Sequence, residues 1–297
     1  MNRSQQLRVI AQEVCECRKC PRLVKYRERV AREKRRAYRE WTYWGRAIPG
    51  FGDAAAKLFI LGLAPAAHGG NRTGRVFTGD RSGDFLYAAL YKAGLANQPT
   101  SLDRDDGLHL KNTYIAAAVR CAPPANKPLP KEILNCRDYL RRELAVLRPK
   151  VILALGKIAW DAYLEILKQE GKIASRAAFP FAHGAEVTIA DDLPRLFGVF
   201  HPSQQNTQTG KLTEAMYATV FRRIRAVLNE IHPIKQTLDS RAALRRQTRD
   251  REVTDLCGRS DGSEETGGRR RLEAAGVECV ADRTAIHMAL TRLSSFF

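Results

Sequence analysis

The chain has 297 residues, 44% of them hydrophobic, with 50 Lys and Arg against 32 Asp and Glu and a formal net charge of +18. That length suffices for one large domain or two modest ones, and the absence of any run of about 18 consecutive apolar residues argues against a membrane span. Met1–Ile10 is polar and lacks the apolar stretch of a secretory leader, so a cytoplasmic, nucleoid-associated protein is expected.

In chain order, Tyr26–Arg39 alternates basic and acidic residues and reads as a solvated helix. The aromatic cluster Trp41–Gly45 follows, and packing is its expected role. Four short apolar runs then read as strands: Lys57–Leu63, Asn112–Val119, Lys150–Leu155 and Arg195–Phe200. Helical patterns cover Ser82–Ala93, Pro130–Leu147, Lys157–Lys168 and Lys211–Ile231. In the last, Leu212, Met216, Val220, Ile224 and Leu228 mark one buried face. Strands alternating with helices predict an α/β protein whose parallel sheet is covered on both sides, with functional residues just beyond the strands' carboxyl ends. Past about residue 234 the apolar periodicity fails, and 235–297 reads as a largely disordered tail in which Ala281–Leu293 forms at most a marginal helix. The tail holds 12 Lys and Arg against 10 Asp and Glu, so residues 1–234 carry about +16 of the charge. Such a body attracts polyanions, because each neutralised phosphate releases condensed counterions. Charge therefore favours a nucleic acid partner without specifying it.

Seven cysteines in an apparently cytosolic chain argue against a disulfide framework. Cys17-Arg18-Lys19-Cys20-Pro21 is a C-x-x-C-P, while Cys121 follows the second predicted strand and Cys136 lies in the helix after it. Four thiolates could hold zinc or a [4Fe–4S] cluster. The wide spacing of the second pair leans toward iron–sulfur, and such a cluster would tie the N-terminal segment to the sheet. Cys15 competes with Cys17 as a ligand; Cys257 and Cys279 fall in the tail.

Two strand exits carry the densest chemistry. Gly62–Asp80 is rich in glycine and small residues, which let a backbone approach a ligand and bind anions with its amides. Phe77 offers a flat apolar face for a base. Asp80 is placed to act as acid, base or water-orienting group, or simply to cap the helix beginning near Ser82. His201-Pro202-Ser203-Gln204-Gln205-Asn206 leaves the last strand, and His201 there could polarise a base carbonyl.

The stretch G-L-A-P-A-A-H-G-G-N-R-T-G-R-V-F-T-G-D resembles family 5 of the uracil-DNA glycosylase superfamily. H-P-S-Q-Q-N, C-R-K-C-P-R-L and R-C-A-P-P-A-N-K-P at Arg120–Pro128 support the likeness, which runs from about Cys17 to Ile231. The resemblance implies a three-layer α/β/α fold with a four-stranded parallel sheet and a [4Fe–4S] cluster on Cys17, Cys20, Cys121 and Cys136. It also implies monofunctional removal of uracil and other deaminated bases from DNA, by a monomer. In that scheme Phe77 stacks on the extruded base, Asp80 assists the attacking water or stabilises the cationic sugar, and His201 hydrogen-bonds the base at O2. Asn126 lines the pocket, Asn206 touches substrate or backbone, and Ala64 and Ser203 are further base- or DNA-contacting positions. Arg72, Arg75 and Lys127, in the motif loops, are candidate phosphate clamps.

Two departures from related families bear on specificity. Leu63 stands where they place a polar residue, and Ala116-Ala117-Ala118 replaces a base-reading Asn. Without these groups the pocket cannot strongly favour uracil's edge, so hypoxanthine, xanthine and 5-hydroxymethyluracil are expected substrates as well. Gln204-Gln205 occupies the place of an apolar wedge, leaving open which residue fills the vacated stack.

Overall fold

The structure, a computed structural model, describes residues 1–230. The predicted tail 235–297, with Cys257, Cys279 and Ala281–Leu293, lies outside the described residues. The elements run α1 (Arg3–Glu16), α2 (Pro21–Glu33), β1 (Phe51–Gly52), β2 (Leu58–Gly62), α3 (Gly70–Thr73), α4 (Arg81–Lys92), β3 (Thr113–Ala117), α5 (Pro130–Leu147), β4 (Val151–Leu155), α6 (Lys157–Gln169), β5 (Glu186–Val187), β6 (Arg195–Val199), α7 (Gln204–Gln208) and α8 (Glu214–Asn229).

The four predicted strands form the sheet's parallel centre, in the order β3-β2-β4-β6, with Ile60 opposite Ile115 and Leu153 and with Leu153 opposite Phe197. β2, β3 and β4 are buried along their whole length, as strands covered on both faces must be. Alternation divides their side chains between two cores. Leu58, Ile60 and Leu153 pack with Leu86, Leu90 and Phe221 of α4 and α8, whereas Phe59, Leu61 and Ile152 pack with Leu140, Trp160 and Leu164 of α5 and α6.

The expected count of four strands needs correction: the sheet has six. β1 and β5 add one antiparallel pairing at each edge. Each has only two residues, too few to show a period of two, and such short edges discourage pairing with other chains.

The solvated-helix reading of Tyr26–Arg39 also changes. α2 begins with Pro21, whose missing N–H costs nothing at a helix start. It buries Leu23, Val24, Arg27 and Val30 and ends at Glu33, where Lys34 turns left-handed with φ 56°. With α1, which buries Leu7, Ile10 and Val14, it forms a third helical layer, against α5. Two ion pairs bind this layer to α5: the Arg22 guanidinium donates to both oxygens of Glu132 at 2.9 and 3.0 Å, and Arg142 Nη2 donates to Glu13 Oε1 at 2.9 Å.

Candidate active site

A cleft of 1190 Å³ opens at the carboxyl ends of β2 and β6, and Phe77, Asp80 and His201 all line it. The loop after β2 supplies the first two. Phe77 has left-handed backbone (φ 52°), uncommon for a bulky residue and frequent where structure is held for function. Two glycines make that conformation possible. A Cβ on Gly62 would stand 2.7 Å from the Phe77 ring, and one on Gly83 would stand 1.9 Å from the Phe77 carbonyl oxygen. The ring lies 5.9 Å from the His201 imidazole, tilted by 35°.

Asp80 is the cap that the sequence offered as one alternative, and it also faces the cleft. Its Oδ1 accepts the Gly83 N–H at 3.0 Å and caps α4, while the residue also lines the cleft. Desolvation raises its carboxyl above the ordinary value, opposed by the amides of Gly83 and Ser82. Gly69 presses on the other oxygen: a Cβ there would come within 1.9 Å of Oδ2. Burial drops His201 to about 4, so its imidazole is neutral at physiological pH.

The remaining predicted residues divide. Ala64, Asn126 and Ser203 line the cleft, as does Leu63. Asn126 sits in a left-handed pair with Ala125 (φ 57° and 53°), and the loop is tethered where Arg22 Nη2 donates to the Lys127 carbonyl at 3.1 Å. Asn206 is outside the cleft lining: its Nδ2 donates to the His201 carbonyl at 2.9 Å, which fixes the turn that carries the histidine. Ala116–Ala118 is buried in β3 and its exit and also lies outside the lining.

Of the three suggested phosphate clamps, Lys127 is exposed. Arg75 is only 4% exposed and grips Asp106 with two bonds of 2.8 and 2.7 Å, so it cannot reach a phosphate. Arg72 is equally enclosed. It donates to the carbonyls of His68 and Gly79, both at 2.8 Å, with its guanidinium carbon 4.1 and 4.0 Å from the ring centroids of Tyr38 and Trp41. Both motif arginines therefore brace the glycine-rich loop, Arg72 from within the cleft wall. The aromatic segment packs as expected, Trp44 donating to the Ala47 carbonyl at 3.1 Å, but Trp41 packs into the cleft wall itself.

The sequence reading missed His68, which lines the cleft and has Nδ1 3.0 Å from the Tyr43 hydroxyl. It lies within the quoted motif, but its partner is 25 residues upstream and nothing in the spacing links them.

The cysteines converge. Cys20, Cys121 and Cys136 belong to one buried cluster between α1, α2 and α5, and Cys17 packs against it. Cys15 is half-buried and is not part of that cluster. Among the described residues no three His, Cys, Asp or Glu side chains are arranged to hold a single metal ion. Beside the thiols lies Arg27, 2% exposed and, among the described residues, without a carboxylate partner. Its Nη1 donates to Cys121 Sγ at 2.8 Å, its Nη2 to the Cys17 carbonyl at 3.0 Å, and its Nε has no partner. A buried cation so placed calls for negative charge on the sulfurs.

An α/β sheet with a glycine-rich loop at one strand exit and a histidine at another is the frame of a known class. The family model for the uracil DNA glycosylase superfamily matches residues 49–225, and the chain belongs to that superfamily. A type-5 uracil-DNA glycosylase of Pyrobaculum aerophilum is 48% identical over 210 residues, covering 71% of this chain and 88% of the relative. One of Mycobacterium tuberculosis is 50% identical over 208 residues, 69% of this chain and 76% of the relative. A type-4 uracil-DNA glycosylase of Saccharolobus solfataricus is more distant, 30% identical over 152 residues, or 51% and 56%. Within the superfamily the chain is a member of the type-5 group.

Proposed function

We propose that this chain is a monofunctional DNA glycosylase that extrudes a deaminated base from DNA and hydrolyses its bond to the sugar. The convergence of Phe77, Asp80 and His201 in one cleft carries this reading. Extrusion costs a few kcal/mol, which phosphate contacts to the basic body can offset. Once the base lies against Phe77, the C1′–N bond stretches: positive charge grows on the sugar and negative charge on the departing base. Asp80 stabilises the first and orients the water that attacks C1′. His201, neutral at physiological pH, donates a hydrogen bond to the base oxygen and stabilises the second. Among the described residues no lysine lines the cleft. The amine that would form a Schiff base with the sugar is therefore missing there, in keeping with an abasic product and an intact strand.

The pocket accepts uracil together with hypoxanthine, xanthine and 5-hydroxymethyluracil. Leu63 and Ala64 line the cleft without a side-chain donor or acceptor, so little penalises a base with a different edge. Cys17, Cys20, Cys121 and Cys136 would hold a [4Fe–4S] cluster, whose buried counter-cation is Arg27. Bound there, the cluster supplies a cross-link between the N-terminal helices and the sheet, and no step of the reaction passes through it.

End-labelled duplexes containing one uracil or one hypoxanthine test the proposal under single-turnover conditions, with alkali to cut abasic sites. Cleavage of both supports the enzyme and its broad pocket. Cleavage of the uracil strand alone supports the chemistry and overturns the breadth. An absence of alkali-sensitive sites in either overturns the proposal.

A further inference from the structure

An extruded nucleotide leaves a gap in the base stack, and glycosylases of this chemistry need something to occupy it. The segment after β6 offers His201, Ser203, Gln204 and Gln205 at the cleft, all polar. Among the described residues seven large hydrophobic side chains are exposed, and of these Leu102 alone lines the cleft. We propose that Leu102 is the wedge that enters the duplex and fills the place of the extruded base. This rests on the glycosylase reading above.

Three observations carry the assignment. Leu102 is 60% exposed, so its side chain is free of the core and presented to whatever lies at the cleft. Its backbone is nonetheless held: the Leu102 N–H donates to Asp106 Oδ2 at 2.8 Å, and Asp106 is gripped by the buried Arg75. The loop is also joined to the catalytic loop. The Ser101 carbonyl accepts the Gly79 N–H at 2.9 Å, and the Ser101 and Thr78 hydroxyls are 2.7 Å apart. Leu102 is thus one residue from a bond to Gly79, which immediately precedes Asp80. A mobile leucine could not hold a base pair open, because ordering it would consume the gain. One set on a braced loop beside the catalytic carboxylate meets the duplex already in place. Apolar side chains inserted between base steps are an established way to stabilise a distorted duplex. Arg75 and Asp106 thereby acquire a purpose: their buried ion pair fixes the loop from which the wedge projects.

The test compares uracil excision from duplex and from single-stranded oligonucleotides, since a single strand has no opposing stack to hold open. Leu102→Ala is expected to slow single-turnover excision from duplex ten-fold or more and to leave single-strand excision within two-fold of wild type. Leu102→Met, which keeps a long apolar chain, should restore most of the duplex rate. An exposed side chain contributes little to the core, so thermal melts of the variants should match wild type. Equal loss on both substrates would overturn the wedge and make Leu102 a support of the catalytic loop; no loss on either would overturn it outright. A duplex-specific defect in Gln205→Ala instead of Leu102→Ala would move the wedge to α7. If wild-type protein released uracil from neither substrate, the glycosylase reading itself would fall.

Discussion

Asp80→Asn separates the two duties of one side chain. As the cap of α4, Asp80 accepts the Gly83 N–H at 3.0 Å, and asparagine caps a helix about as well as aspartate. What the substitution removes is charge: some favourable interaction with the helix N-terminus, about 0.3–1 kcal/mol, and the cost of holding a desolvated carboxylate. The folded-state value of Asp80 is raised by that desolvation. The folded protein therefore binds the proton more tightly than the unfolded chain, and ionisation at neutral pH opposes folding. These effects work against each other, so urea midpoints of variant and wild type should agree within about 1 kcal/mol. Catalysis should not be spared. Losing one electrostatic stabiliser of a charge-separated transition state costs about 2.7–4 kcal/mol, or roughly 10²–10³ in rate. Single-turnover release from a uracil duplex measures this directly, and the wild-type rate should decline on acidification as Asp80 protonates, at a pH above that of an ordinary aspartate. A variant with the wild-type rate would refute the catalytic assignment. A variant that lost rate and stability together would show that the cap alone accounts for Asp80.

Three further predictions follow from burial. His201 titrates at about 4 when folded and near 6.5 when unfolded; below about 6.5 the unfolded chain takes up the proton first, so stability falls as pH drops through that window. His201→Gln should remove up to about 3 kcal/mol of the fall, read as the change in urea midpoint between pH 7 and pH 4, and the wild-type rate should show no histidine inflection near 6.5. Arg120 and Glu143 are each 1% exposed and paired at 2.5 and 3.1 Å. Glu143→Ala strands the guanidinium and should destabilise by about 3–5 kcal/mol in denaturant titrations, whereas an unchanged midpoint would show that the site rehydrates. Cys17→Ser should lower bound iron and sulfide while Cys15→Ser leaves both unchanged, by colorimetric analysis of anaerobically purified protein; the reverse would place Cys15 in the ligand set.

The four central strands were legible because each is a short, continuous apolar run, and the structure trims them by a residue or two at the ends. α5 matches its expected span, Pro130–Leu147, since proline marks its first residue. α1 was not seen: its buried face amounts to Leu7, Ile10 and Val14, too sparse to stand out among polar neighbours. In the site, the chain-local features could be read and the pairings could not. Phe77, Asp80 and His201 sit at motif positions, but the enclosure of Arg75 depends on Asp106, 31 residues away. The stacking of Arg72 depends on Tyr38 and Trp41, from a segment that precedes β1. Leu102 had no signal at all, because nothing in an aspartate-rich turn marks a leucine as a tool.

The third helical layer imposes an order on synthesis and assembly. Glu13 pairs with Arg142, 129 residues later, and Cys20 meets Asn135 across 115. On the ribosome the first two helices emerge early, but their ion pairs with α5 wait until residues 130–147 have been made, after the first three strands. Contacts that close loops this long are slow to form and leave apolar surface open meanwhile. Ile10, Val14 and the Cys17–Cys20 pair, which pack with Cys136 and Tyr139 of α5, therefore wait long for their partners, and are a part of the nascent chain on which a chaperone has time to act.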